Sequence, residues 1–315
     1  MAVVRIRRAA LAALAFVLAA CAGGASHTAP TSSRLAGRAA FPVTITDDDG
    51  QSVTLSNRPQ RIVTFAPSNT EIVFALGLAP RLVGVSGKFD DYPSQARSIQ
   101  QIGGSGDFGV DPNLERLVAL RPDLMLTISG GDEWKKRVRE IGIPVFTINA
   151  TDFDDLLHDI RTVGRLTGTS ERAAVLTKGM ATLAAEIRDA VSSDQPVSCF
   201  FEVYYPPLTS VGPNTFIADL LRRAGCDSAS ATAKSDYPEW SVDRLVKESP
   251  DVYLVASESG SSPAAVAKRP GFRAIGAVAA GRIYLIDSDL VSRPGPRVVD
   301  GLEALARVLH PEAVP

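Results

Sequence analysis

Histidine is scarce in this sequence, with three in 315 residues: His27, His158 and His310. Zinc and manganese cages draw on several convergent imidazoles and carboxylates, so no metal centre is expected. A serine hydrolase needs a histidine beside its nucleophile, and neither GxSxG nor HExxH occurs. The GxxxxGK[ST] phosphate loop is missing as well. Gly104 to Gly109 does satisfy GxGxxG, but no buried strand precedes it and Asp111-Pro112 follows at once. The dinucleotide-binding context is therefore absent, and a glycine-rich mobile loop is expected there. Positive charge is not in excess, with 33 Lys and Arg against 35 Asp and Glu, which disfavours nucleic acid as a partner. Past the N-terminal segment no apolar run suggests a transmembrane helix. With no clustered acid, base or nucleophile, the sequence offers no catalytic site, and no resident cofactor is expected.

What is present begins with an export signal. Residues 1–20 carry Arg5, Arg7 and Arg8, then an uncharged apolar run from Ala9 to Ala20 that is too short to span a bilayer comfortably. It closes on Leu18-Ala19-Ala20-Cys21-Ala22-Gly23, which resembles the lipobox of bacterial lipoproteins. Cleavage before Cys21 and lipidation on it are expected, which would place the chain outside the cytoplasm on a lipid anchor in the cell membrane. Residues 21–40 are rich in Ala, Gly, Ser, Thr and Pro and read as a flexible stalk. Cys199 and Cys226 then remain in an oxidising compartment. Cys199 opens an apolar strand, and Cys226 follows the helix that should run back beside it. They are read as a disulfide in preference to two buried thiols.

The mature fold opens with Pro42 to Leu55, two alternating runs around Asp-Asp-Gly, which reads as a β-hairpin. Four β-rich runs follow between helical stretches: Arg61 to Pro67, Leu82 to Ser86, Asp123 to Ile128 and Pro144 to Asn149. This implies an α/β lobe with a largely parallel sheet over residues 41–168. From Ser170 to Val191 the pattern becomes one long helix, with Leu176, Met180, Leu183 and Ile187 expected on its apolar face. Twenty-two residues at 1.5 Å each give a rod of roughly 33 Å, long enough for residues 169–193 to bridge two lobes. A second α/β alternation over residues 194–315 has strands at Ser198 to Tyr205, Asp251 to Ala256 and Arg282 to Asp287. A terminal helix from about Arg297 to Leu309 closes it.

One internal echo runs at a constant offset of 128 residues. Asn113 to Leu126 matches Ser241 to Leu254 at Arg116/Arg244, Leu117/Leu245, Val118/Val246, Pro122/Pro250, Asp123/Asp251 and Leu126/Leu254, with Glu115 facing Asp243. Each copy reads as a short helix, a Pro-Asp turn and a buried strand. The match favours two similarly built Rossmann-like lobes.

Five segments, in order, resemble the solute-binding proteins of ABC importers for iron complexes, haem and cobalamin: Pro67 to Gly77, Asp91 to Ala96, Asn113 to Leu124, Tyr204 to Gly225 and Ser288 to Ala306. The resemblance covers roughly residues 42–310. It implies the class III periplasmic-binding-protein fold, an α/β fold of two lobes bridged by one backbone helix. It also implies a monomer that captures a small molecule, delivers it to an ABC permease and is held at the membrane by its lipid. Asp91-Tyr92-Pro93, Asn113 to Leu124 and Asp289 to Arg297 are most similar to the cobalamin-binding branch.

By that resemblance, Tyr92, Phe108 and Tyr237 would meet the flat corrin or its side groups, while Asp289 and Arg293 would address its polar amides. Tyr205 and Trp240 are further candidates. Broad faces favour aromatic contact, and a few placed polar groups fix orientation. The sequence departs from the cobalamin pattern in having only Trp134 and Trp240, with Ser129 where a pocket tryptophan would be expected. Haem, with Tyr92 as an axial ligand, or an anionic ferric siderophore facing Arg293, are the alternative cargoes. In the family one carboxylate on each lobe docks against permease arginines. Here Glu115 and Asp243 match those positions, and paired surface charges of this kind serve partner orientation.

Overall fold

Two parallel sheets flank one long helix in the computed structural model, which describes residues 41–103 and 111–314. Cys21, Phe108, the GxGxxG run and the signal segment lie outside the described residues. All the described residues belong to one compact unit.

Strands β1 (Val43–Thr46) and β2 (Ser52–Leu55) pair antiparallel around the acidic turn. That turn is fastened to the first sheet. Asp47 accepts from the Thr147 amide at 3.0 Å, Asp48 from the Asn149 amide at 2.6 Å and Asp49 from the fully buried Lys135 ammonium at 2.7 Å. Burial works against the charge on Asp49, but hydrogen bonds from Lys135 and Thr147 win and hold its carboxyl below the usual range.

The first half then runs β3 (Ile62–Thr64), α1 (Pro67–Ala75), β4 (Leu82–Gly84), α2 (Leu114–Leu120), β5 (Leu124–Thr127), α3 (Asp132–Glu140) and β6 (Val145–Thr147). Helices α4 (Phe153–Thr167) and α5 (Ser170–Val191) follow. The second half has β7 (Val197–Glu202), α6 (Phe216–Arg223), β8 (Cys226–Ser228), α7 (Val242–Glu248), β9 (Val252–Ala256), α8 (Pro263–Val266), α9 (Gly276–Ala279), β10 (Ile283–Ile286), α10 (Ser288–Val291) and α11 (Val298–Leu309). Strand orders are β4-β3-β5-β6 and β10-β9-β7-β8, all parallel. In each sheet the first strand lies between the second and the third, with the fourth outside the third. The two halves therefore share one topology, as the echo implies.

Each sheet is covered on both faces, so its strands are apolar on both sides. Along β9, Val252, Leu254 and Ala256 enter the main core while Tyr253 and Val255 enter a second cluster. On β5, Leu124 and Leu126 enter that same main core and Met125 a third cluster. The main core thus runs unbroken from the first sheet through α4, α5 and α11 to the second sheet. A shared core of this kind stiffens the joint between the halves.

Three of the four residues expected on the apolar face of α5 lie against the core, Met180 and Ile187 buried and Leu176 half-buried, and the fourth does not. Ala173, Thr177, Met180, Ala184, Ile187 and Val191 are buried, whereas Leu183 is 43% exposed. Ala173 sits where α5 packs closely on α4: a Cβ at Gly164 would lie 2.5 Å from the Ala173 methyl. Small residues are needed where two backbones approach that closely. The second half also contains β8, an edge strand of three residues whose Cys-Asp-Ser sequence carries no β-rich run. Cys199 and Cys226 are bonded across β7 and β8, with Cα atoms 5.8 Å apart.

Candidate ligand site at the strand ends

Open parallel sheets bind ligands beyond the carboxyl ends of their strands, and loops from those ends of β4 and β10 meet in this molecule. Arg293, just after α10, reaches the first half, donating to the Phe89 carbonyl at 3.1 Å and to Asp91 at 3.3 Å. It also pairs with Asp289 at 2.6 Å on its own segment. Asp289 is pushed up by burial and by Asp287 and Asp91, against the pull of Arg293 and Arg297. These acids and arginines form a cross-half network rather than the isolated surface pair that their i,i+4 spacing alone would allow.

The loop carrying Tyr92 is held by Asp90, which is buried and accepts from the Gly87 amide at 2.9 Å and from the hydroxyls of Thr70 and Ser86. Tyr92 itself is 46% exposed, with the Arg297 guanidinium 3.9 Å above its ring. Arg297 is fixed in turn by a bidentate pair with Glu71 of α1, at 2.9 and 2.6 Å. That hydrogen bonding raises the Arg297 pKa, while burial raises that of Glu71. A groove of about 730 Å³ opens here, lined by Glu71, Phe74, Tyr92, Ile99 and Arg297 among others. Its volume falls in the range of small-molecule sites.

The other candidates divide. Tyr237 is 59% exposed on a segment zipped to residues 209–212, where Ser210 donates to the Pro238 carbonyl and Gly212 to that of Asp236. Gly212 is required, because a Cβ there would lie 1.9 Å from the Ser235 carbonyl oxygen. Tyr205 is half-buried, with the Arg269 guanidinium 3.7 Å from its ring centre and Phe272 edge-on. Trp240 is corrected from ligand contact to core residue. It is 6% exposed, packs edge-on to Phe200 and has Arg244 3.8 Å from its ring. Trp134 is likewise core, against Phe65, and Ser129 is exposed at the end of β5.

Glu115 and Asp243 are both exposed in the first turns of α2 and α7. His158 is exposed, and His310 is buried between the Gly225 carbonyl and Asp194. Among the described residues no group of His, Cys, Asp and Glu could hold a metal ion.

Sequence reading missed two buried ion pairs beneath the site. Glu71–Arg297 is one. The other is Glu202, fully buried at the end of β7, which takes two hydrogen bonds from Arg269 at 2.6 and 2.9 Å and one from the Tyr253 hydroxyl. Burial and Glu202 together push the Tyr253 pKa up. Glu71 and Arg297 each lie inside a segment carrying the family resemblance, and Gly295 packs against Glu71. No local pattern links Glu202 to Arg269, 67 positions away.

Residues 62–290 match the periplasmic binding protein family. The chain belongs to that family. It is 34% identical to an uncharacterised ABC transporter substrate-binding lipoprotein, YvrC, of Bacillus subtilis, over 86% of this chain and 87% of the relative. A cobalamin-binding protein of Halobacterium salinarum is 32% identical over 95% of this chain and 83% of its own length. Among solved structures, the periplasmic haem-binding protein RhuT from Roseiflexus sp. RS-1, in apo form, superimposes with a TM-score of 0.71 at 25% identity, over 81% of this chain and 99% of that one. As a periplasmic binding protein the molecule is a non-enzymatic, extracytoplasmic transport component, with two α/β halves bridged by α5.

Proposed function

We propose that this chain is the substrate-binding lipoprotein of an ABC importer and that its cargo is a cobalamin-like corrinoid, bound by a monomer. Lipidation at Cys21 would tether it, and Glu115 and Asp243 would dock the permease. One observation carries the ligand reading: Tyr92, an aromatic face open to solvent, is clamped by Arg297 beside Asp289 and Arg293 where the two halves meet. A flat macrocycle with amide side groups suits one broad aromatic face and a few fixed polar groups. The extent of the match to the Halobacterium cobalamin-binding protein supports the same choice. Tyr237, exposed on the second half, and Tyr205, backed by Arg269, would supply the opposing contacts.

Haem or a ferric siderophore is the second reading. It is favoured by the structural likeness to a haem-binding protein and by the absence of a tryptophan at the site among the described residues. Calorimetry of the purified chain against cyanocobalamin, haemin and a ferric hydroxamate separates the readings. Cobalamin should bind most tightly, and Tyr92→Ala should weaken it about tenfold, the scale of one lost aromatic contact. Preferential haemin binding, with a visible absorption band lost in Tyr92→Ala, would overturn the corrinoid assignment.

A further inference from the structure

The end of the first half opposite the ligand site gathers six arginines. Arg61 donates through Nε to the Leu120 carbonyl at 2.7 Å, beside Arg121 at the C-terminus of α2. Arg81 reaches the carbonyls of Pro59 and Thr167, joining the segment before β3 to the end of α4. A Cβ on Gly168 would lie 2.4 Å from Arg58 Nε, and one on Gly77 would lie 1.4 Å from Arg172 Nη1. Arg165 lies in the last turn of α4. Arginines at helix C-termini are favoured by the partial negative charge there, but each such contact uses only part of a guanidinium's donor set.

Two further observations turn this cluster into a surface. None of the six forms an ion pair among the described residues, and Arg61, Arg121, Arg165 and Arg172 are exposed. Of the acids at this end of the sheet, Asp123 has its carboxylate taken by the amides of Gln60 and Arg61, while Glu171 begins α5 and Glu140 ends α3. The fold does not demand this charge. In the second half the position of Arg121 is Ser249, in the same left-handed conformation, and the residue whose carbonyl receives the following Asp amide is Ser198 instead of Arg61.

We infer that this basic end is a contact surface for anionic phospholipid headgroups of the membrane that holds the chain. The inference rests on the lipid-anchor reading for its choice of partner. Val43 pairs with Leu55, three residues before Arg58, so the segment from Cys21 enters the fold at this same end. On the stalk reading of residues 21–40, about twenty residues would span roughly 25 Å and would keep the arginines near the bilayer. Glu115 and Asp243 begin the helices whose other ends are Arg121 and Ser249. A chain resting on its arginines points these docking acids away from the anionic surface, and it must leave the headgroups to meet a permease.

The test uses the non-lipidated chain, Cys21→Ser, sedimented with phosphatidylcholine vesicles and with vesicles that also contain phosphatidylglycerol. Binding should require phosphatidylglycerol and fall as salt rises. Each exposed arginine should contribute about fivefold to partitioning, so Arg61→Ser, Arg121→Ser, Arg165→Gln and Arg172→Gln together should lose at least a hundredfold. The pair Arg121→Ser and Arg165→Gln, which breaks no hydrogen bond in the structure, should lose about twenty-five-fold by the same scale and serves if the quadruple variant unfolds. Equal binding to both vesicles, an unchanged partition in either variant, or binding to soluble polyphosphate without vesicle binding would overturn the inference. Fatty-acid labelling of the wild-type chain reads the anchor separately. Vesicle binding without label removes the anchor and keeps the headgroup surface, and label without vesicle binding does the reverse.

Discussion

Between Asn113 and Leu126, and again between Ser241 and Leu254, the chain performs the same steps in the same order. Asn113 caps α2 through the Arg116 amide at 2.9 Å, and Ser241 caps α7 through the Arg244 amide at 3.2 Å. Leu117 and Leu245 are both fully buried. Each helix ends on a non-glycine residue with positive φ, 44° at Arg121 and 46° at Ser249. Each following Asp amide then bonds a carbonyl of the neighbouring strand, Arg61 or Ser198, at 2.9 Å. The side chains that do not build this joint have diverged. The first half gathers arginines at its outer end, whereas the second has a disulfide and the enclosed Glu202–Arg269 pair. Where one backbone carries two different charge patterns, the pattern answers to something other than folding.

Glu115 and Asp243 are the exception, equivalent in position and alike in charge, and they give the largest expected effect. Charge reversal at both, Glu115→Lys with Asp243→Lys, should abolish uptake in cells while ligand affinity of the purified chain stays unchanged. The single reversals should impair uptake comparably, since both acids sit in the same first turn of matched helices. Weakened ligand binding in the double variant would sink the docking role. Full uptake in one single variant would show that the importer reads only one half.

Two buried acids on helices sharpen the contrast at moderate magnitude. Asp219 of α6 is 7% exposed and is held by Arg222 and by Arg223 Nε at 2.6 Å. Asp159 of α4 is 5% exposed, and its Oδ2 has no partner. Burial, followed by the fields of Asp48 and Asp155, pushes it from 3.8 up to about 8. Below the ordinary value both native and unfolded chains hold this proton and the acid costs nothing. Between there and about pH 8 the unfolded chain releases the proton while the native chain keeps it, so stability falls at up to about 1.4 kcal/mol per pH unit. Above that the cost is constant. Asp159→Asn should therefore stabilise by about 2–3 kcal/mol at pH 9, allowing for water reaching the carboxylate, and by little at pH 4. Urea denaturation at the two pH values checks this. An equal gain at both would refute the titration.

What could be read from the sequence follows the range of the interactions involved. The hairpin, seven of the eight parallel strands, the length of α5 and the matched joints rest on local periodicity and turn chemistry, and these are written in contiguous residues. On α5 the spacing finds Met180 and Ile187 but not Ala173, which is buried through a contact between two elements, against Gly164 of α4. Trp240 meets the same limit, since an aromatic after a strand looks the same facing solvent or facing Phe200. At the site, Tyr92, Asp289 and Arg293 stand in segments with a recognisable pattern. Arg269 does not, and only the folded sheet brings it to Glu202 and beneath Tyr205.

The smallest effect separates scaffold from charge at one matched position. Left-handed backbone costs an L residue about 1–2 kcal/mol, and glycine avoids that cost while losing about 0.5–1 kcal/mol through its freer unfolded chain. Arg121→Gly and Ser249→Gly should each stabilise by roughly 0.5–1 kcal/mol, read as a small rise in the denaturation midpoint. Their effects should part on vesicles containing phosphatidylglycerol. Arg121→Gly removes one charge from the basic end and should lower partitioning about fivefold, whereas Ser249→Gly should leave it unchanged. If Arg121→Gly destabilises while Ser249→Gly stabilises, the arginine side chain supports the end of α2, and its charge is structural there.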